Sequence, residues 1–266
     1  YLLAASGSTG VTSGVIRFHA TNEAVNLQRV GLKLTNTASS SASDLVQVSL
    51  WDGNTVVGTA TFLGSATSAT TSPLSVLIPK DGDKDLTVKI DIANIGTGCL
   101  NCTGTQGALI SVDSNASVDS TGTQGSGVSS GSTLNATGSS VSSGVRMFKS
   151  FPVVSLGLGL SGNGVSDGHL MRFTVTANSN GGISINQFKF TLSTTSATVT
   201  AVNLFGYTND TYSSGISGGF VSGQIATSNF APTSGGAVTI TPLAIINIPT
   251  GNTYYFELRG TVTGTG

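Results

Sequence analysis

Val25-Asn26-Leu27-Gln28-Arg29-Val30-Gly31-Leu32-Lys33-Leu34-Thr35 can be laid, without a gap, over Ile183-Ser184-Ile185-Asn186-Gln187-Phe188-Lys189-Phe190-Thr191-Leu192-Ser193. Apolar stands over apolar at the first, third, sixth, eighth and tenth positions. Upstream, Ile16-Arg17-Phe18 matches Met171-Arg172-Phe173. Downstream, Val48-Ser49-Leu50-Trp51 matches Val202-Asn203-Leu204-Phe205, Ile78-Pro79 matches Ile248-Pro249, and Gly96-Thr97-Gly98 matches Gly264-Thr265-Gly266. Matches that keep one order along the chain predict two homologous modules.

Within each module the apolar period is two, which puts alternate side chains on one face of a strand. Ile16, Phe18 and Ala20 alternate with Arg17, His19 and Thr21, and Val46, Val48 and Leu50 with Gln47 and Ser49. Val88, Ile90 and Ile92 alternate with Lys89 and Asp91; Phe188, Phe190 and Leu192, then Phe256 and Leu258, repeat the pattern. Asp52-Gly53-Asn54 is turn chemistry after a strand, and no stretch reads as a helix longer than a turn. Short strands between Gly, Ser and Asn clusters predict an all-β chain of two tandem immunoglobulin-like β-sandwich modules joined by a Ser/Gly/Thr-rich linker. The expected divisions are residues 1–112 for the first module, 113–145 for a flexible or loosely extended linker, and 146–266 for the second. Ala108 to Val112 reads as the closing strand of the first module, and the second shows no counterpart of it. A sandwich short of a strand exposes backbone groups that another chain can pair with. The apolar segment Tyr1, Leu2, Leu3, Ala4 and Ala5 is therefore the candidate assembly strand, completing a neighbour's sheet. The open alternative is that the gene product continues and closes the second module itself.

Composition narrows the function. Only 9% of the 266 residues are charged, against about 25% in an average soluble chain. With 38% hydrophobic residues the chain can build a core, and a net charge of −1 with no basic run argues against a nucleic-acid partner. No apolar stretch approaches the ~20 residues that span a bilayer. The chain opens on Tyr1 without an initiator methionine, which reads as a mature product or a fragment.

Few residues suggest chemistry. Cys99 and Cys102 form a lone C-x-x-C. A small-loop disulfide in an oxidising compartment is preferred, because a zinc site needs two more soft ligands and a thioredoxin-type centre needs a βαβ setting. Asp81, Asp83 and Asp85 alternate in a loop and are a candidate calcium site, the only cofactor suggested; the alternative is a solvated turn before a strand. His19 lies on a polar strand face and His169 in a Gly-rich turn, neither with a triad partner in a motif. Glu23, Asp44, Asp91, Asp167 and Glu257 are the acids that could meet in space as a catalytic pair, but enzyme activity is not expected. Trp51, Phe205, Tyr207, Tyr212, Tyr254 and Tyr255 could form a sugar-stacking platform, although the alignment of Trp51 with Phe205 points to residues that seal a sandwich edge. Asn101, Asn115, Asn135 and Asn209 head Asn-x-Ser/Thr sequons and are glycosylation candidates.

The strings DLVQVSLWDGNTVVGTATF (44–62), IPKDGDKDLTVKIDIANIGTG (78–98), GVRMFKSFPVVSL (144–156) and HLMRFTVTA (169–177) resemble tandem Ig-like modules in large secreted surface proteins, of S-layer or filament type, from ultrasmall bacteria. The resemblance implies an extracellular, cell-surface location and a role in a surface layer, filament or attachment, and it brings no catalytic residues. The expected function is a structural subunit that self-assembles through sheet edges and inter-module contacts, with itself as partner. The alternatives are an adhesin stalk touching a host surface, or a carbohydrate-binding module touching glycans.

Overall fold

The computed structural model describes residues 1–71, 73–138, 140, 142–157, 159–160, 168–226 and 235–264. Among them the chain is all-β, the sole helical element being a three-residue 3-10 turn at Ala42–Asp44. It divides into two compact units, Tyr1–Lys149 and Ser150–Gly266. No helix of the described residues is long and apolar enough to cross a membrane.

Unit 1 contains β1 (Leu2–Ala5), β2 (Val11–Ala20), β3 (Val25–Arg29), β4 (Gly31–Leu34), β5 (Leu45–Asp52), β6 (Thr55–Ala60), β7 (Ser68–Thr70), β8 (Val76–Ile78), β9 (Gly82–Ile92), β10 (Leu109–Ile110), β11 (Val112–Asn115), β12 (Gln124–Gly127), β13 (Thr133–Asn135) and β14 (Val145–Phe148). They form sheets in the orders β2-β9-β5-β6, β13-β12-β3-β8, β11-β4-β7 and β1-β14-β10. The alternating residues of β2, β5 and β9 meet Leu27, Val30, Leu32 and Leu34 in one apolar core. The β5–β6 hairpin closes through Gly53 and Asn54, with Gly53 at φ 59°, a left-handed value that glycine adopts without strain. Val46, expected on the buried face, is exposed: the register shifts between Leu45 and Gln47, and this bulge turns Leu45 inward in its place.

Three expectations about unit 1 need correction. The stretch 113–145 is not a loose linker. It carries most of β11 together with β12 and β13, and β14 begins at its end; these strands pair with β4, β3, β12 and β1. Composition misled because hydroxyl and small residues can also be packed. Thr35 donates its hydroxyl to Asp113 Oδ2 at 2.5 Å, Gly31 N–H donates to Thr123 Oγ1 at 3.0 Å, and Arg29 donates to the Gly122 and Asp119 carbonyls. Gly122 fits only because it lacks a Cβ, which would stand 1.6 Å from the Ser117 carbonyl oxygen. Consequently the boundary falls between Lys149 and Ser150, not at 112 and 146. Third, the Tyr1–Ala5 segment is engaged within its own unit: β1 runs parallel to β14, Leu2 opposite Val145 and Ala5 opposite Phe148, with Ala4 and Ala5 buried.

Unit 2 contains β15 (Pro152–Leu156), β16 (His169–Ala177), β17 (Ile183–Ile185), β18 (Phe188–Thr191), β19 (Thr198–Tyr207), β20 (Ala237–Ile240), β21 (Ile246–Ile248) and β22 (Thr253–Thr263). One sheet has the order β15-β16-β22-β19; β17 pairs with β21, and β18 with β20. These pairings repeat those of β2, β9 and β5, of β3 with β8, and of β4 with β7 in unit 1. The second layer is thinner. In unit 1, β3 also pairs with β12 and β4 with β11, whereas among the described residues β17 and β18 have no second neighbour. The burial follows. Leu27, Val30, Leu32 and Leu34 are buried, while the residues aligned with them, Ile185, Phe188, Phe190 and Leu192, are only partly buried.

Candidate functional site

Strand alternation on β22 sends Phe256 and Leu258 into the core and Glu257 to the opposite face, where a carboxylate would ordinarily meet water. Glu257 is nevertheless fully buried. Its Oε1 accepts from His169 Nδ1 at 2.7 Å and from Arg172 Nε at 2.7 Å, and its Oε2 accepts from Arg259 Nε at 2.6 Å. β16 places Arg172 directly opposite Glu257, and a register shift between His169 and Met171 brings His169 alongside. Tyr207 and Tyr212 enclose the group. Arg259 Nη2 donates to Tyr207 Oη at 2.7 Å, and the Arg172 guanidinium lies 4.2 Å from the Tyr212 ring centroid. Arg172 Nη1 also donates to the Gly159 carbonyl.

Burial pushes the Glu257 carboxyl up, but the hydrogen bonds from Arg172 and Arg259 outweigh it and hold the group below the usual carboxylate range. Burial also raises the Tyr207 and Tyr212 hydroxyls. Because the folded-state value of Glu257 lies below the unfolded one, its contribution to stability is fully present above its ordinary value of 4.5 and is lost as pH falls through the folded value. Protection factors of the amides in β16 and β22, taken relative to the intrinsic exchange rate at each pH, should therefore fall as pH is lowered below about 4.5, and Glu257→Gln should flatten that dependence. The enclosed carboxylate ties β16 to β22, and through Arg259 to Tyr207.

The equivalent pair in unit 1 shows what enclosure changes. Arg17 lies opposite Asp85 and holds it through two 2.7 Å hydrogen bonds, but both side chains are open to solvent. That pairing also bears on the proposed calcium site, because the structure does not bring the three acids together. Asp85 holds Arg17, Asp83 accepts from His19 Nδ1 at 2.7 Å, and Asp81 accepts from the Asn22 N–H at 3.0 Å. Among the described residues no group of three or more acid, His or Cys side chains could hold a metal ion.

The other acids are dispersed. Glu23 accepts from Ser129 and Ser130, Asp44 from the N–H groups of Ser41 and Thr105, and Asp91 from the Gly10 N–H. Asp167 lies outside the described residues. The aromatic candidates do not make a flat row. Tyr207 and Tyr212 meet edge to face, as do Tyr212 and Tyr255, and Tyr207 is buried. Trp51 and Phe205 face away from the core, each beneath a cation: Lys89 Nζ is 3.8 Å from the Trp51 ring centroid and the Arg259 guanidinium 4.3 Å from that of Phe205. Cys99 and Cys102 are paired as a disulfide. Of the sequons, Asn101 and Asn135 are exposed; Asn115 and Asn209 are partly buried, with their amide nitrogens donating to Thr121 and to Thr211 and Ser213.

The remaining feature is an open apolar face on unit 2. In β15, Pro152, Val154 and Leu156 lie opposite Ala177, Val175 and Phe173, so they extend the core-facing side of the sheet. Those three partners are buried, yet Val154 is 62% and Leu156 81% exposed. Sequence reading missed both this face and the Glu257 cluster. The alignment of Arg172 with Arg17 was the available signal for the cluster, but it needed the pairing of β16 with β22 to supply the acid.

No protein-family model and no curated protein matches the chain. Among solved structures, the chain is weakly similar to "The structure of the M60 catalytic domain with the CBM51-1 and CBM51-2 domains from Clostridium perfringens ZmpB", at 9% identity and a TM-score of 0.17, covering 94% of this chain and 32% of that one. The chain thus spans about a third of that structure's length.

Proposed function

We propose that this chain is a non-catalytic structural subunit of an extracellular filament or cell-surface layer, built from Ig-like β-sandwich modules and self-associating through sheet edges and inter-module contacts. The observation that carries the reading is the uncovered core-side face of β15, where Val154 and Leu156 sit beside buried Val175 and Phe173. Sheet edges are ordinarily blunted by charge, proline within the edge or a covering loop, and an apolar edge left open pairs with another chain. β15 has no charged residue, and its proline is confined to the first position. A chain with 9% charged residues also offers little like-charge repulsion when copies pack closely.

Negative-stain electron microscopy tests the proposal. The full chain should form ordered filaments or sheets, and Val154→Lys with Leu156→Lys should leave dispersed particles of unchanged far-ultraviolet circular dichroism. Dispersed particles of the unsubstituted chain at every concentration would refute it.

A further inference from the structure

Among the described residues the outer edge of β18 has no strand beside it. Leu192 N–H donates to the Gly236 carbonyl at 3.2 Å, and the Leu192 carbonyl accepts from Gly235 N–H at 2.7 Å, so Leu192 turns its backbone toward β20. In an antiparallel ladder the direction alternates, which turns the N–H and C=O groups of Lys189 and Thr191 the other way. In unit 1 that side is filled. Leu34 N–H goes to the Thr67 carbonyl on one side, and Thr35 N–H goes to the Ser111 carbonyl on the other, at the start of the β11 ladder. The register there places Val112 opposite Leu34 and Asp113 opposite Lys33. β11 also lies against β2, the counterpart of β16. A strand in the same place on unit 2 would lie over β16, beside Val154 and Leu156, and would cover the half-buried Phe188 and Phe190.

We infer that the open edge of β18 binds a β-strand from a partner polypeptide, apolar at alternate positions and carrying small polar or acidic residues between them, added antiparallel as β11 is added to β4. The inference rests on the assembly reading for the source of that partner. Polar chemistry fits as well as the apolar faces do. Asp113 is held in unit 1 by the Thr35 hydroxyl, whose aligned residue in unit 2 is Ser193, exposed and on the same face as Thr191 and Lys189. Lys189 replaces Gly31 in the alignment and adds a positive charge along that face, favouring an acid on the incoming strand. Main-chain hydrogen bonds would supply affinity, and the alternate side chains selectivity.

The probe is a synthetic peptide of residues Gly107–Ala116, Gly-Ala-Leu-Ile-Ser-Val-Asp-Ser-Asn-Ala, added to the full chain, with a peptide of the same composition in scrambled order as control. Saturable binding of one peptide per chain is expected, with amide exchange slowed at Lys189 and Thr191. Thr191→Pro removes an outward N–H without touching the β20 ladder and should weaken binding about fivefold or more. Binding to the scrambled peptide, or protection elsewhere than β18, would overturn the inference. Protection of Lys189 and Thr191 in the dilute free chain would also overturn it, because the edge would then be filled from within the chain. Normal filaments without peptide binding would sink this inference and leave the assembly reading standing; peptide binding by a chain that never assembles would do the reverse.

Discussion

Glu257→Ala is expected to destabilise unit 2 by roughly 2–3 kcal/mol, the loss of the charge-assisted hydrogen bonds that a buried carboxylate makes to partly exposed Arg172 and Arg259. Arg172 and Arg259 would keep positive charge against a fully buried position, and His169 would lose its 2.7 Å partner. Trp51, the only tryptophan, lies in unit 1, so its fluorescence in a denaturant titration should be unchanged while unit 2 unfolds early. Tyrosine circular dichroism reads unit 2, where four of the five tyrosines lie. Asp85→Ala, at the equivalent position of unit 1, should produce no measurable shift because that pair is screened by solvent. Similar losses from the two substitutions would mean that Glu257 is not enclosed as described.

The second large effect is expected at Gly122, within the stretch whose composition suggests a linker. An added Cβ would overlap the Ser117 carbonyl oxygen at 1.6 Å, so the backbone of the 115–123 loop must move. Gly122→Ala should cost roughly 2–3 kcal/mol and open residues 113–135 to protease, with cleavage about 30-fold faster. The displacement would also disturb the Thr123 N–H bond to the Asn115 carbonyl and the Arg29 bond to Gly122. In a flexible linker the same substitution would be silent, so limited proteolysis distinguishes the two descriptions.

Both experiments probe places where sequence reading and structure part company. Alternation in β2, β5 and β9 was legible because a buried face selects apolar residues every second position, and it led directly to an all-β chain. The Ser/Thr/Gly stretch was not legible: the same residues that make a chain flexible also make hydroxyl-bonded strands, and only neighbours such as Arg29, Thr35 and Gly31 decide between them. The Val46 bulge was hidden for a similar reason, since a one-residue register shift leaves no mark on composition.

The candidate site divides in the same way. The alignment of Arg17 with Arg172 could be seen in the sequence, as could Glu257 as one acid among twelve. Neither revealed that a β-ladder sets Arg172 against Glu257, or that Tyr207 and Tyr212 close over the pair. Asp81, Asp83 and Asp85 were conspicuous as a run, yet separate partners draw them apart.

What the sequence determined by itself was the strand content and the paired strings around Val25–Thr35 and Ile183–Ser193, because period-two hydrophobicity is a local property of the chain. Tertiary structure alone decided where unit 1 ends, that Tyr1–Ala5 is held by β14, that Glu257 is buried, and that β18 has β20 as its one strand neighbour among the described residues. Each of these depends on which distant backbone lies alongside, and hydrogen-bond pairing between strands is set by the whole layer, not by the residues of one.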